Sequence, residues 1–142
     1  MSDLYEDDIL LWSEQQAGAL RRRALNEIDW ENVAEEIESV GNEQLHAVES
    51  LLVQALRHML KAHCWPLHRD VETWRADAID FCGQAQSRFV PSMRQRIDME
   101  KLYRRALRAT PETMDGTASL PVLAELPTLD ELLAEAEDGG PP

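Results

Sequence analysis

Three histidines and a cysteine lie close together in the sequence, at His58, His63, Cys64 and His68, and imidazole and thiolate are ligands of protein-bound zinc. His58 and His63 are five residues apart, which separates them by roughly 140° around a helix. Only a chain reversal at Pro66 brings His68 back toward His63 or Cys64. We therefore expect no resident metal or other cofactor, and His63, Cys64 and His68 are the residues that would hold a metal if one binds.

A second group of candidate binding residues consists of Glu36, His58, Trp74 and Arg75. Arg75 carries the planar guanidinium that binds carboxylates through two parallel hydrogen bonds. Glu36 and His58 are roughly 33 Å apart along one helix, so they cannot share a site within it. The helix that contains Arg75 is expected to start near the C-terminal end of the long helix. His58 is at that end and Glu36 is near the other, so His58 is the more plausible neighbour of Arg75. We expect a structural polar contact here, with a small-anion site as the alternative.

The motifs of nucleophilic and nucleotide chemistry are missing from the sequence. It has no Gly-x-Ser-x-Gly and no glycine-rich phosphate loop. Glu43 and His46 have the i, i+3 spacing of a di-iron motif, but such sites need a second motif of this kind. We therefore assign no catalytic residue, and the sequence favours a protein that is not an enzyme.

One long helix is predicted from Asp29 to Cys64, with Asp29 as its N-cap and Pro66 beyond its end. Its apolar residues recur every three or four positions, as on one helix face that packs on a core. The helix would be roughly 50 Å long. A glycine inside a helix lowers helix stability by roughly 1 kcal/mol relative to alanine, so the helix could be interrupted at Gly41. The apolar spacing continues in phase on both sides of Gly41, which favours one continuous helix. The apolar residues of the face are Val33, Ile37, Val40, Ala47, Val48, Leu51, Ala55, Met59 and Ala62.

Four further helices are predicted from apolar periodicity, capping residues and prolines. Asp70 is the expected cap of one, and Thr128-Leu-Asp-Glu131 resembles a capping box. No run alternates as a strand does. The fold class is therefore all-α: a single-domain bundle of about four main helices around the long one (1–110), then an acidic linker and tail with a short helix (111–142). Besides the long helix, the bundle helices span about 4–25, 70–89 and 91–109, and the short tail helix spans about 128–137.

The chain is strongly acidic, with a net charge of −13 over 142 residues. This charge disfavours nucleic acids and anionic membranes, whose phosphates are bound by Lys and Arg. No apolar run approaches the roughly 20 residues of a spanning helix, and the acidic start is unlike a signal peptide, so we expect a cytoplasmic protein. After Arg108 there is no basic residue, which indicates a solubilising tail or one that docks on a basic surface. The acids there are Glu112, Asp115, Glu125, Asp130, Glu131, Glu135, Glu137 and Asp138.

Four segments carry a resemblance to a known family. They are Tyr5-Glu-Asp-Asp8 with Leu11-Trp12, the block from Asp29 to Gly41, Leu56-Arg-His-Met-Leu-Lys61 with Pro66, and Thr73-Trp-Arg75. Together they resemble the bacterial domain-of-unknown-function family number twenty-nine, from about Tyr5 to Ser92 and more weakly over Leu129-Asp-Glu-Leu-Leu133. The family often reads Ser-Pro-Ser-Leu where this chain has Val90-Pro-Ser-Met93. The resemblance implies a small all-α protein without an established activity, and it assigns no catalytic residue.

The function predicted from the sequence is that of a non-enzymatic helical module that binds an unidentified protein partner, with self-association into a homo-oligomer as one form of this. One alternative is a metal-dependent enzyme that uses His58, His63 and His68. Another is an acidic regulator that binds a basic partner through its tail. A tryptophan left at the surface would mark a partner contact, because tryptophan is enriched at interaction hot spots. The chain has four tryptophans: Trp12, Trp30, Trp65 and Trp74.

Overall fold

A computed structural model describes residues 3–122 and 127–138, which form an all-α fold with one small hairpin. The predicted fold class, with one long helix and a short C-terminal helix, is confirmed. The sequence predicts no strand, and this is wrong for two short strands of two residues each that form the hairpin. In chain order the elements are α1 (Leu4–Asp7), α2 (Ile9–Arg22), α3 (Trp30–Cys64), α4 (Val71–Arg88), α5 (Met99–Arg108), β1 (Thr113–Met114), β2 (Thr117–Ala118) and α6 (Leu129–Asp138).

Helix α3 is continuous for 35 residues and passes through Gly41 without a break. The carbonyl oxygen of Asp29 accepts the N–H of Val33 at 2.9 Å, which is the first hydrogen bond of the helix and places Asp29 at its N-cap. At its other end the helix stops at Cys64, two residues before Pro66. The apolar phase therefore predicts the continuity of this helix correctly.

The chain divides into two compact units, Met1–Glu43 and Gln44–Pro142, and α3 contributes residues to both. The division expected from the sequence, between a domain over 1–110 and a tail over 111–142, stays a prediction. The first unit contains α1, α2, a 3₁₀ turn at Leu25–Glu27 and the first part of α3. Its described buried apolar side chains are Trp12, Ala19 and Ile28.

Two helices, not one, form the segment predicted as helical over residues 4–25. The carboxylate of Asp8 accepts the N–H of Leu11 at 3.1 Å, so Asp8 caps a new helix immediately after α1. Helix α2 ends at Arg22, because the next residue, Arg23, has a φ of 55° in the left-handed region that stops helices. The apolar pattern predicts that this segment is helical, but it does not show that Asp8 divides the segment into two helices.

The second unit contains the main hydrophobic core, formed by the later part of α3 with α4, α5 and α6. Helix α6 packs against α4, so the helix predicted in the acidic tail is part of this core. Thr128 Oγ1 accepts the N–H of Glu131 at 3.1 Å, as the predicted capping box requires. The largest fully buried side chains are Leu52, Leu56, Leu60, Leu102 and Leu132.

Helix α5 begins later than predicted. Residues Pro91–Met93 form a 3₁₀ turn, and α5 starts only at Met99. The reason is Asp98, whose carboxylate accepts the N–H groups of Glu100 and Lys101 at 3.1 and 3.3 Å. An aspartate with this geometry fixes the N-terminus of a helix, so the helix expected from 91 is shortened.

Strands β1 and β2 form an antiparallel hairpin around Asp115 and Gly116. Both turn residues have positive φ, 51° and 80°, as a two-residue hairpin turn requires. The hairpin is fixed to the end of α3, because the indole N–H of Trp65 donates to the carbonyl oxygen of Thr117 at 2.9 Å. The Asp-Gly pair is the sequence signal of this turn.

Candidate protein-interaction surface

The apolar face of α3 is buried only in its later part. Val48, Ala55 and Ala62 are buried, whereas Ile37 is 67% exposed and Val40 is 62% exposed. The expectation that the whole face packs on a core is therefore wrong for the part of α3 in the first unit. We call this part the exposed stripe; apart from Val33, which is half-buried, its members are exposed. The exposed stripe consists of Trp30, Val33, Ala34, Ile37, Val40 and Gly41.

Within the first unit, Tyr5 of α1 and Trp12 of α2 contact a polar side of α3 and not the exposed stripe. The hydroxyl of Tyr5 donates to the carboxylate of Glu36 at 2.5 Å. Glu36 immediately precedes Ile37, so its side chain points about 100° away from the exposed stripe. The hydrogen bond to Glu36 is the main reason that the pKa of Tyr5 is raised to about 12, because the bond holds the phenol in its protonated form.

A second polar contact fixes the start of α3. The carboxylate of Asp29 accepts hydrogen bonds from the Asn32 amide at 2.7 Å and from the Trp12 indole at 3.2 Å. These bonds, chiefly the one from Asn32, lower the pKa of Asp29, because they favour its ionised form. The ring of Trp12 also lies edge-on to the ring of Tyr5, with centroids 4.8 Å apart. The α1 and α2 segment is therefore held on α3 by directional polar bonds, and the apolar stripe remains uncovered.

Trp30 differs from the other three tryptophans in its exposure. Trp12, Trp65 and Trp74 are buried, whereas Trp30 is 56% exposed at the beginning of the exposed stripe. A large exposed indole in line with exposed Ile37 and Val40 gives a continuous apolar face three helical turns long. Trp30 is therefore the tryptophan that lies at the surface of the described chain, and it is the candidate for a partner contact.

The four predicted binding residues do not form one group. Glu36 bonds to Tyr5 within the first unit. Arg75 donates to Glu72 at 2.6 Å, one turn away on α4. His58 donates from Nδ1 to the carbonyl oxygen of Gln54 at 2.8 Å, its Nε2 lies 3.7 Å from the carboxylate of Asp77, and its ring lies against Phe81. A carboxylate beside His58 disfavours an anion there.

Trp74 lies in a different cluster. It is stacked on the ring of His68 with centroids 4.6 Å apart, and the ammonium group of Lys61 lies 5.2 Å from its ring centroid. The cluster of buried side chains around it includes Ala62, Cys64 and Trp65. Trp74 therefore closes the end of the bundle and exposes little surface to a ligand.

The candidate metal ligands have protein partners. His68 accepts the N–H of Asp70 at Nδ1 (3.0 Å), so its Nε2 carries the proton that is donated to Asp115 at 2.7 Å. Nε2 of His63 donates to the carbonyl oxygen of Pro121 at 3.1 Å. Cys64 is buried, and burial raises the pKa of its thiol, which disfavours the thiolate that a metal needs. Among the side chains that the structure describes, no three His, Cys, Asp or Glu residues gather as a metal site.

A small apolar pocket lies between the hairpin and the end of α3. Its volume is about 250 Å³, and its walls include Trp65, Leu67, Met114 and Leu120. Polar groups at its edge already bond to each other, as His68 does with Asp115 and as the N–H of Leu120 does with the carbonyl of Cys64 at 3.0 Å. Because these edge groups already bond to each other, the pocket is a weaker candidate than the exposed stripe.

Fold and surface together define a small helical protein with an uncovered apolar helix face. In the part of the chain that the structure describes, no helix is long and apolar enough to cross a membrane. The sequence profile of the domain of unknown function DUF29 matches residues 4–136, and the chain belongs to this family. The predicted resemblance is thus confirmed, and the match includes the Leu129–Leu133 segment as well as the residues before Ser92.

The chain is also similar to a solved structure, that of an alpha-helical protein of unknown function from Rhodospirillum rubrum. The two are 25% identical, the comparison covers 99% of this chain and 100% of the other, and the TM-score is 0.58. No curated protein matches the sequence. These comparisons give the fold and the family and supply no activity.

Proposed function

We propose that this protein is a protein–protein interaction module and that the exposed stripe of α3 is its binding surface. The observation that carries the proposal is the change in burial along one helix face. The later part of α3 buries its apolar residues in a core, and the earlier part, with the same spacing, leaves Trp30, Ile37 and Val40 in solvent. A contiguous exposed apolar face of this kind is typical of interaction sites.

The size of the stripe fits a reversible complex. About half of a tryptophan and two-thirds of an isoleucine and a valine amount to roughly 350 Å² of apolar surface. Its burial would contribute about 9 kcal/mol at about 25 cal/mol per Å². Association costs about 4–15 kcal/mol, so this contact alone supports weak binding, and a stable complex needs further contacts toward about 800 Å² on each partner.

The two alternative functions have less support. A metal-dependent enzyme would need His58, His63 and His68 in one place, and these residues bond to separate partners. A tail that docks on another protein would leave its acids unpaired, but Asp130 bonds to Arg94 at 2.5 Å and Asp115 bonds to His68. Glu125 lies outside the described residues. A cytoplasmic location stays a prediction.

The proposal is tested by comparing two substitutions of exposed residues. Ile37→Gln places a polar, helix-compatible side chain in the exposed stripe. Leu67→Gln makes a similar change at a residue that is 97% exposed outside α3. Both changes should alter the free energy of unfolding by less than about 0.5 kcal/mol, because neither residue is buried.

The assay is quantitative affinity capture from a lysate of the host cell, followed by mass spectrometry. A partner bound through the stripe is retained by the wild-type protein and by Leu67→Gln, and its yield falls at least tenfold with Ile37→Gln. Equal yields with all three proteins would contradict the assignment of the binding surface. Thermal melts of each variant show whether a lost partner reflects lost folding.

A further inference from the structure

We infer that the partner of the exposed stripe is a basic amphipathic helix; this inference rests on the proposed function, because it names the partner of the same surface. The length of the stripe agrees with such a partner. From Trp30 to Gly41 the apolar face extends about three helical turns, roughly 17 Å, along one continuous helix. A face of this length accepts the i, i+3, i+4, i+7 residues of one partner helix.

The edge of the stripe is acidic. Glu31 and Glu38 are both exposed and lie two turns apart on the same side of the stripe, beside Ala34. From Trp30 to Leu56, helix α3 contains six acidic residues and no lysine or arginine. An apolar face edged by carboxylates is complementary to a helix whose leucine-type face is edged by lysine or arginine. The six acids are Glu31, Glu35, Glu36, Glu38, Glu43 and Glu49.

The charge of the whole first unit points the same way. Its three basic residues are consecutive, Arg21 to Arg23, and Arg22 already bonds to Glu27 at 2.9 Å. The same unit contains twelve acidic residues, so its net charge is strongly negative. A basic partner is therefore attracted by long-range electrostatic forces as well as by direct contact. The twelve acids are Asp3, Glu6, Asp7, Asp8, Glu14, Glu27, Asp29, Glu31, Glu35, Glu36, Glu38 and Glu43.

Gly41 provides an independent indication of a close neighbour. It lies within α3 at the end of the exposed stripe, and a Cβ atom added to it would meet nothing within 4 Å. Packing within the described chain therefore gives no reason for a glycine, although glycine weakens a helix. A partner helix that crosses α3 at this position would use the missing side chain for a close backbone approach.

A second copy of the chain fits this surface less well. A two-fold dimer pairs the same patch of both copies, so acidic edges would lie at both sides of one apolar contact. Like charges at an interface disfavour association. The charge of the stripe's edge therefore favours the basic helix.

The test uses two synthetic 18-residue peptides and the full-length protein. Both peptides carry leucines at i, i+3, i+4 and i+7 spacing; one has lysine at the remaining positions and the other has glutamate. Binding is measured by fluorescence anisotropy at 50 and 500 mM NaCl. The variants are Ile37→Gln, the pair Glu31→Gln with Glu38→Gln, and the control pair Glu100→Gln with Glu112→Gln, which are exposed residues outside α3.

We expect the lysine peptide to bind at least tenfold more tightly than the glutamate peptide, and to lose most of this advantage at 500 mM NaCl because salt screens exposed charges. The Glu31 and Glu38 pair should weaken binding about fivefold at 50 mM NaCl, and the control pair less than twofold. Ile37→Gln should weaken binding at least tenfold at both salt concentrations.

The other outcomes separate the two proposals. If both peptides bind equally and Ile37→Gln weakens both, the stripe is a binding surface but the basic partner is wrong. The same conclusion follows if neither peptide binds and sedimentation shows a dimer that Ile37→Gln dissociates. If the lysine peptide binds equally to wild-type protein and to Ile37→Gln, both proposals are wrong. If no binding and no dimer are found, the basic-helix proposal is wrong, and the capture experiment with Ile37→Gln decides the binding surface.

Discussion

Replacement of Gly41 by alanine should make the protein more stable and its complex weaker. Alanine is more favourable than glycine inside a helix by about 0.8–1 kcal/mol, because glycine loses more backbone freedom on folding. The added methyl group meets nothing within 4 Å, so no clash opposes this gain. We expect the free energy of unfolding to rise by about 0.8 kcal/mol and Tm by about 2–4 °C for a chain of this size.

The assay is urea unfolding followed by far-ultraviolet circular dichroism and by tryptophan fluorescence. Gly18→Ala in α2 is the matched control, because there the new Cβ atom would lie 3.2 Å from the guanidinium of Arg22, which must move. We expect a smaller gain for Gly18→Ala than for Gly41→Ala. A loss of stability in Gly41→Ala would show that α3 is not a regular helix with free space at this position. An unchanged affinity for the lysine peptide would refute a close helix crossing at Gly41.

Three further predictions concern stability. Leu52→Ala should lower the free energy of unfolding by about 2–5 kcal/mol, because Leu52 is fully buried. Ile37→Ala should change it by less than about 0.5 kcal/mol, because Ile37 is exposed. Equal urea midpoints for the two variants would contradict this difference in burial. The raised pKa of Tyr5 contributes stability that is complete below its ordinary pKa near 10 and is lost as the pH rises toward 12. The urea midpoint of Tyr5→Phe should therefore fall less steeply between pH 9 and 11 than that of the wild-type protein. Parallel plots of urea midpoint against pH for the two proteins would contradict this. Gly116→Ala should cost about 1 kcal/mol by urea unfolding, since its φ is 80°, and an unchanged midpoint would show that the turn adapts.

The sequence predicts helix α3 well and its burial only in part. Apolar spacing depends on the local chain, so it carries the helix through Gly41 and identifies the face that contains Ile37 and Val48. Which part of that face is covered depends on segments far away in the sequence. The polar bonds of Tyr5 and Trp12 draw α1 and α2 to the side of Glu36 and Asp29, and no periodicity contains this information.

The candidate site residues show the same division between local and distant information. The pairing of Arg75 with Glu72 follows from their i, i+3 spacing and could be predicted, whereas a partnership with His58 needs the angle between two helices. The partner of His68 lies 47 residues away in a hairpin that the Asp-Gly turn signal indicates. The exposed Trp30 could be predicted as a helix residue but not as a surface one.

The most direct test of the exposed stripe as the binding surface is the dissociation constant of the purified partner for three proteins. Isothermal titration calorimetry would compare wild-type protein, Ile37→Gln and Leu67→Gln at equal salt concentration. We predict at least a tenfold weaker complex for Ile37→Gln, because a central apolar contact is lost, and an unchanged one for Leu67→Gln. Equal dissociation constants for wild type and Ile37→Gln, with both proteins folded, would contradict the proposed binding surface.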